Sequence, residues 1–220
     1  MPPTAEPRCR GTHSAEGQVT WHYSGRIDGL VGTGATGAER ALGYGSAAVL
    51  TLLIVGDDLL RVEPVAQAGW QVALLALFAF DIAGGAVANM LNSCKRLYHS
   101  PPRPEEGAIL RALKNPRLFT ALHVHPLLIV WAFGGSLAHA AIWYLLLQVA
   151  VWGVLATPLY LRRALATAVS MLAIIGAPLV LPLGAGLGWV VPALFVKLVL
   201  AHAVREEPYA APSQLALSSR

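Results

Sequence analysis

The residues able to do chemistry gather in three stretches. Asp81, Gly85, Asn89, Asn92 and Arg96 recur at spacings of 4, 4, 3 and 4, which on an unbroken helix places them on one face. His99 joins that face if the helix runs one turn further. His123 and His125 stand two apart, with Pro126 directly behind them. Lys197 and His202 lie in the last apolar run, and Gln148 in an earlier one. A carboxylate, an amine and several imidazoles are the groups that trade protons with a substrate or bind a metal.

Asp81 is the sharpest of these. An aspartate at the centre of a membrane helix costs about 2.5–3.5 kcal/mol on the insertion scale, so its face is expected against protein or a water-filled cavity. Gly84 and Gly85 would let a second backbone come close, and a packing seam with hydrogen-bonded asparagines is the structural alternative. Asp81 lies eleven residues past Trp70 and Lys197 eight past Trp189, which gives them similar depths at about 1.5 Å per residue. An Asp81–Lys197 ion pair is therefore expected, either as a register-fixing contact or as an acid–base relay. Lys197 could instead snorkel inward and leave Asp81 protonated. Gln148 falls near the same level.

Histidines two apart diverge by about 200° on a regular helix, so His123 and His125 would not grip one ion there. Pro126 removes the amide that Leu122 would bond, and this permits a kink that turns the rings towards each other. The expected arrangement has one imidazole in the bundle and the other towards a neighbour. His99, His202 and one of this pair could make a three-ligand site, but no spacing requires it; metal, haem and proton-transfer roles stay open, and no cofactor is assigned. There are seven histidines, split between the tail (His13, His22), the inner side and the opposite side (His139). That is too few and too scattered for the eight-or-more histidine pattern of membrane di-iron hydroxylases and desaturases. Gly32–Gly37 matches G-x-G-x-x-G, but no βαβ unit surrounds it, and it is read as flexible lead-in.

These groups must be positioned by helices in lipid. Of the 220 residues 55% are hydrophobic and 13% charged, with a mean hydropathy of +0.56; a soluble domain carries roughly 25% charged residues. The fold class is an all-α integral membrane bundle of six transmembrane helices, with spans expected at 43–60, 66–92, 116–134, 137–161, 163–182 and 186–204. The stretch 119–161 would reach about 64 Å as one helix, twice the hydrocarbon thickness. Gly134-Gly135-Ser136 supplies its break and a cap, and Asn115-Pro116 marks the start of the third span. Residues 1–40 read as a polar, flexible N-terminal tail whose 19–23 stretch suits the membrane interface. Residues 41–205 form the membrane domain, with the run from Ala41 acting as an uncleaved anchor, and 206–220 a short cytoplasmic tail. Between spans two and three, Pro104 to Lys114 reads as a short helix lying flat on the leaflet or as a solvated loop.

With both ends placed inside, Lys and Arg outside the spans divide fourteen against one, a strong positive-inside bias. The net charge of +4 thus records topology and does not point to nucleic acid. The excess of Arg over Lys, with abundant Ala and Gly, suggests a GC-rich bacterium and its inner membrane. Cys9 and Cys94 are not expected to pair.

The expected function is an integral membrane enzyme acting on a lipid-like or isoprenoid-like substrate at the cytoplasmic leaflet, by acid–base chemistry with or without a metal. Its catalytic candidates are Asp81, His123, His125 and Asn89. Asn92, Lys95, Arg96, His99, Gln148, Lys197 and His202 are the substrate-binding candidates, with Lys95, Arg96 and Arg117 near an anionic head. The alternatives are a small proton-coupled transporter with a midplane Asp81/Gln148/Lys197 site, and a haem- or quinone-binding or partner subunit of a membrane complex. The expected partners are membrane lipids and a hydrophobic or amphiphilic small molecule, and a homo-oligomer is compatible with the sequence.

Overall fold

The computed structural model describes residues 18, 19, 21, 25–61 and 68–210. Strands β1 (Gln18–Val19), β2 (Ile27–Asp28) and β3 (Gly32–Thr33) precede helix α1 (Gly37–Arg61). Helix α2 (Gly69–Ala79) passes into a π-helical turn, π1 (Phe80–Gly84), and then α3 (Gly85–Ala88). Next come α4 (Asn92–His99), α5 (Ala108–Leu113), α6 (Pro116–Ala121), α7 (His125–Phe133), α8 (Leu137–Ala156) and α9 (Leu159–Leu179). The chain ends in α10 (Val190–Phe195), a second π-helical segment π2 (Val196–His202), and strand β4 (Tyr209–Ala210).

Among the described residues, five helical segments are long and apolar enough to cross a membrane: Gly37–Arg61, Gly69–Ala88, Pro116–Phe133, Leu137–Ala156 and Leu159–Leu179. Their outward faces carry exposed Leu52, Leu77, Trp131, Leu145, Val149 and Leu172, far more apolar surface than a water-soluble monomer leaves open. The sixth apolar run, Val190–His202, is shorter. It is wrapped by its neighbours, with Val190, Val191, Leu194, Phe195, Leu198 and Val199 all buried. A helix that is apolar all round belongs in the middle of the packing. Trp143, Leu147, Val151 and Val154 of α8 and Ala166, Ala173 and Ala177 of α9 form the walls around it.

Several expected boundaries shift, each for a local reason. The second span ends at Ala88 rather than at residue 92, because Leu91 turns extended (ψ 143°) ahead of α4. The stripe from Asp81 to Arg96 is therefore cut in two. The break between α8 and α9 falls at Thr157-Pro158, not at 161–163. Thr157 is extended (ψ 141°), as a residue before proline prefers. Arg162 then lies inside α9 and bonds back to the carbonyls of Leu155 and Thr157 (3.0 and 3.2 Å), covering the end of α8. The short helix read over 104–114 is confined to α5. The Gly-Gly-Ser break is as expected: Gly134 and Gly135 take φ of +79° and +126°, and the Ser136 side chain accepts from His139 N at 3.2 Å. Asn115 caps α6 through the amides of Arg117 and Leu118, with Pro116 at its first position.

The glycine-rich stretch read as lead-in is packed where the structure describes it. Strands β2 and β3 pair as an antiparallel hairpin, and β3 lies on α4. Gly32 (φ +84°) sits so close to the backbone of Ser93 and Cys94 that a Cβ would collide with it, which is a steric reason for that glycine. Strand β1 pairs antiparallel with β4, and the Arg205 guanidinium lies 4.4 Å over the Trp21 ring. The 19–23 stretch thus meets the C-terminal segment where it is described; Thr20, His22, Tyr23, Cys9 and residues 211–220 lie outside the described residues.

Candidate functional site

Two π-helical turns each carry one of the two deep charges. A π turn holds one residue more than an α turn, and such bulges concentrate at functional sites. Here they bring Lys197 Nζ to 2.7 Å from Asp81 Oδ2. The expected ion pair is formed. Gly85 makes the approach possible, since a Cβ there would stand 2.7 Å from Lys197 Cε. The expectation that both glycines serve backbone contact thus holds for Gly84, which rests against Ala47 of α1, while Gly85 makes room for the lysine stem. Asn89, just past α3, donates to the Lys197 carbonyl (3.3 Å).

The two histidines join this pair. Between α6 and α7 the chain leaves the helix at His123 and Val124, and Pro126 opens α7 without an amide to bond backwards. The 200° divergence of a regular helix is thereby cancelled, and the expected split of the two rings is corrected: their centroids lie 5.1 Å apart. His125 Nε2 is 3.4 Å from Asp81 Oδ2, and its ring meets Phe78 edge-on. His123 Nδ1 is bonded to the Phe119 carbonyl at 2.7 Å. One ligand atom from each of Asp81, His123 and His125 lies within 4.8 Å of the others. Lys197 is closed off (3% exposed), but the Asp81 side chain is 45% exposed.

A second group extends from this cluster towards α4. Phe119 packs on His123 (4.6 Å between centroids) and stacks on buried His202 (4.1 Å). His202 in turn meets Tyr98 (4.7 Å) and His99 (6.3 Å). Burial, then the positive charges of Lys95 and Arg205, hold His99 down to about 4, so it is neutral at pH 7.

No protein-family model, curated protein or solved structure matches this chain. The functional reading therefore rests on geometry.

The remaining candidates separate into other roles. Lys95, also buried, donates to the carbonyls of Ala201 and Val204 (2.9 Å to the latter) and pairs with Glu206 at 3.3 Å. Burial lowers its pKa and Glu206 opposes the fall. Arg96 reaches the Tyr209 carbonyl (3.2 Å) and Glu39 (3.8 Å). These two cations tie π2 and β4 to the bundle. Arg117 lies 4.0 Å over the Trp152 ring. Asn92 is half-buried at the start of α4. Gln148 donates to the Thr120 carbonyl (3.3 Å), a different partner from the expected midplane pair. His139 binds the Pro182 carbonyl at 2.8 Å.

Phe119, Tyr98, Phe78, Glu39 and Glu206 were not singled out from sequence. Aromatic residues in a membrane helix carry no mark that separates a histidine-stacking ring from a lipid-facing one. A polar cavity of about 390 Å³ lined by Arg26, Asp28, Arg40 and Tyr44 beside the hairpin was likewise not foreseen.

Proposed function

We propose that the chain is an integral membrane enzyme acting on a lipid-like or isoprenoid-like substrate by acid–base chemistry at Asp81, His125 and Lys197. The observation that carries this reading is the uneven closure of the ion pair: Lys197 is sealed, while the carboxylate it holds is half-open. An ion pair serving register alone would be enclosed on both sides, because lipid gives a charge nothing in return. Asp81 is the proton-transfer group, with His125 as its exchange partner at 3.4 Å. Among the described residues Asp81 is the one acceptor of the Lys197 ammonium, so the sealed lysine acts on a substrate through the carboxylate it holds. Asn89 and Gly85 hold Lys197 in place.

The membrane arrangement follows as part of this proposal: six crossings, the short Val190–His202 helix among them, with both ends cytoplasmic in a bacterial inner membrane. Pairing of β1 with β4 supports both ends on one side, and the basic residues cluster on the side of α4. Asp81 lies nearer the Ala88 end of its span than the Gly69 end, which supports the inner leaflet as the side of entry. Reporter fusions at Arg220 and near Glu63 are expected to read opposite sides.

The chemistry is tested by comparing lipids of host membranes holding wild type or Asp81→Asn at equal abundance. A lipid species altered by wild type and unaltered by the variant is the expected result. Identical profiles would remove the enzyme reading. A second reading, a proton-coupled transporter, is supported by one observation: the column His125–His123–Phe119–His202–His99 leading from Asp81 towards α4. Asp81-dependent proton flux into proteoliposomes, with unchanged lipids, is the outcome that favours it.

A further inference from the structure

We propose that Asp81, His123 and His125 form a binding site for one divalent transition-metal ion of the zinc type. The inference deepens the reading above and rests on the same cluster. Four observations carry it.

The three side chains come from two separate spans, yet one ligand atom of each lies within 4.8 Å of the other two. His125 Nε2 and Asp81 Oδ2, 3.4 Å apart, already stand at the separation of two donors on one tetrahedral ion, about 3.3–3.5 Å for bonds near 2.0–2.1 Å. The chain also interrupts its helix between the two histidines, which sets imidazoles on one side that a regular helix would point apart.

One outer contact is that of a ligand set as well. His123 gives Nδ1 to the Phe119 carbonyl at 2.7 Å, leaving Nε2 as the donor atom; a carbonyl behind the far ring nitrogen is the usual way a metal-binding histidine is oriented. Two imidazoles and one carboxylate make the donor set of metal sites that keep a position open for substrate. Lys197 bonds the same Oδ2 at 2.7 Å, but a carboxylate oxygen carries two lone pairs, and the ammonium beside the ion favours an anionic group at the open position.

The test reads metal, not turnover. Full-length protein in nanodiscs, stripped with chelator, is titrated with Co²⁺ and followed by its visible d–d absorption, then challenged with Zn²⁺. One Co²⁺ per chain, displaced by Zn²⁺, is expected. His123→Ala and His125→Ala should each weaken binding by at least about 100-fold, and His139→Ala should leave it unchanged. Lys197→Gln removes a neighbouring positive charge and should tighten binding by about tenfold or more, with Zn²⁺ raising the variant's Tm. Folded wild type that takes up no stoichiometric Co²⁺, or uptake indifferent to both histidine variants, overturns the site. Neither outcome touches the lipid comparison, so the metal site and the acid–base reading fail separately.

Discussion

Two buried lysines of this chain have opposite surroundings. Lys95 and Lys197 are 2% and 3% exposed; Lys95 ends beside π2, and Lys197 springs from it. Lys95 meets two carbonyls and the Glu206 carboxylate, one acceptor for each ammonium proton. Lys197 meets a single carboxylate among the described residues, and that carboxylate is itself open. Burial of a cation therefore does not mark a site by itself. A saturated ammonium closes a helix end and does no more, whereas one held by a single open carboxylate acts on a ligand through that carboxylate.

The largest effect expected from this contrast is on stability at the saturated lysine. Lys95→Met strands Glu206 and two carbonyls, and breaking a buried pair costs about 3–5 kcal/mol. Thermal unfolding should show the loss, while folded molecules keep the Asp81-dependent chemistry. A stable Lys95→Met protein without that chemistry would reverse the assignment.

At Lys197 the expectation is the converse. Asp81→Asn or Lys197→Met should lower turnover by about 10²–10⁴-fold, the range of a lost acid–base group. Stability should be regained in the double variant relative to the singles, with a coupling of about 1–3 kcal/mol. Strictly additive losses would break the pair apart. Smaller effects belong to the frame that holds both lysines: Ser136→Ala removes a cap and should cost about 1 kcal/mol in Tm-derived stability, without changing the lipid profile.

The smallest is a pH slope on the Lys95 side. His99 is held at about 4 against an ordinary 6.5, so the unfolded chain binds its proton first as pH falls. Stability contributed by neutral His99 is full above about pH 6.5 and drains away towards pH 4. His99→Gln should flatten that part of the pH–Tm curve; an unchanged curve would mean that His99 is not the group responsible.

The all-helical architecture was legible because apolar runs and their stops are local. Gly134-Gly135-Ser136 and Asn115-Pro116 each act within four residues of where they stand, and they sit where the sequence puts them. Asp81 and Lys197 were paired by depth alone, since both positions could be counted from a tryptophan near a helix start. What stayed hidden depends on interruption. The face from Asp81 to Arg96 assumed an unbroken helix, and the extended Leu91 divides it. The apparent divergence of His123 and His125 made the same assumption and failed at Val124. Two of the partners of Lys95 are backbone carbonyls, which no side-chain pattern reveals.

The π turn at Phe80–Gly84 has a consequence for the bookkeeping of the gene as much as for the fold. A π turn is an insertion of one residue absorbed without lengthening the rest of the helix. Losing one codon inside it would restore a regular α-helix, not shatter the span, with the flanking turns keeping their faces and only the residues of the widened turn moving. Removal of Ile82 should therefore give a chain that still inserts and folds its helices, with Asp81 swung off the line to Lys197. Few places in a membrane helix let a deletion separate the scaffold from its chemistry so cleanly.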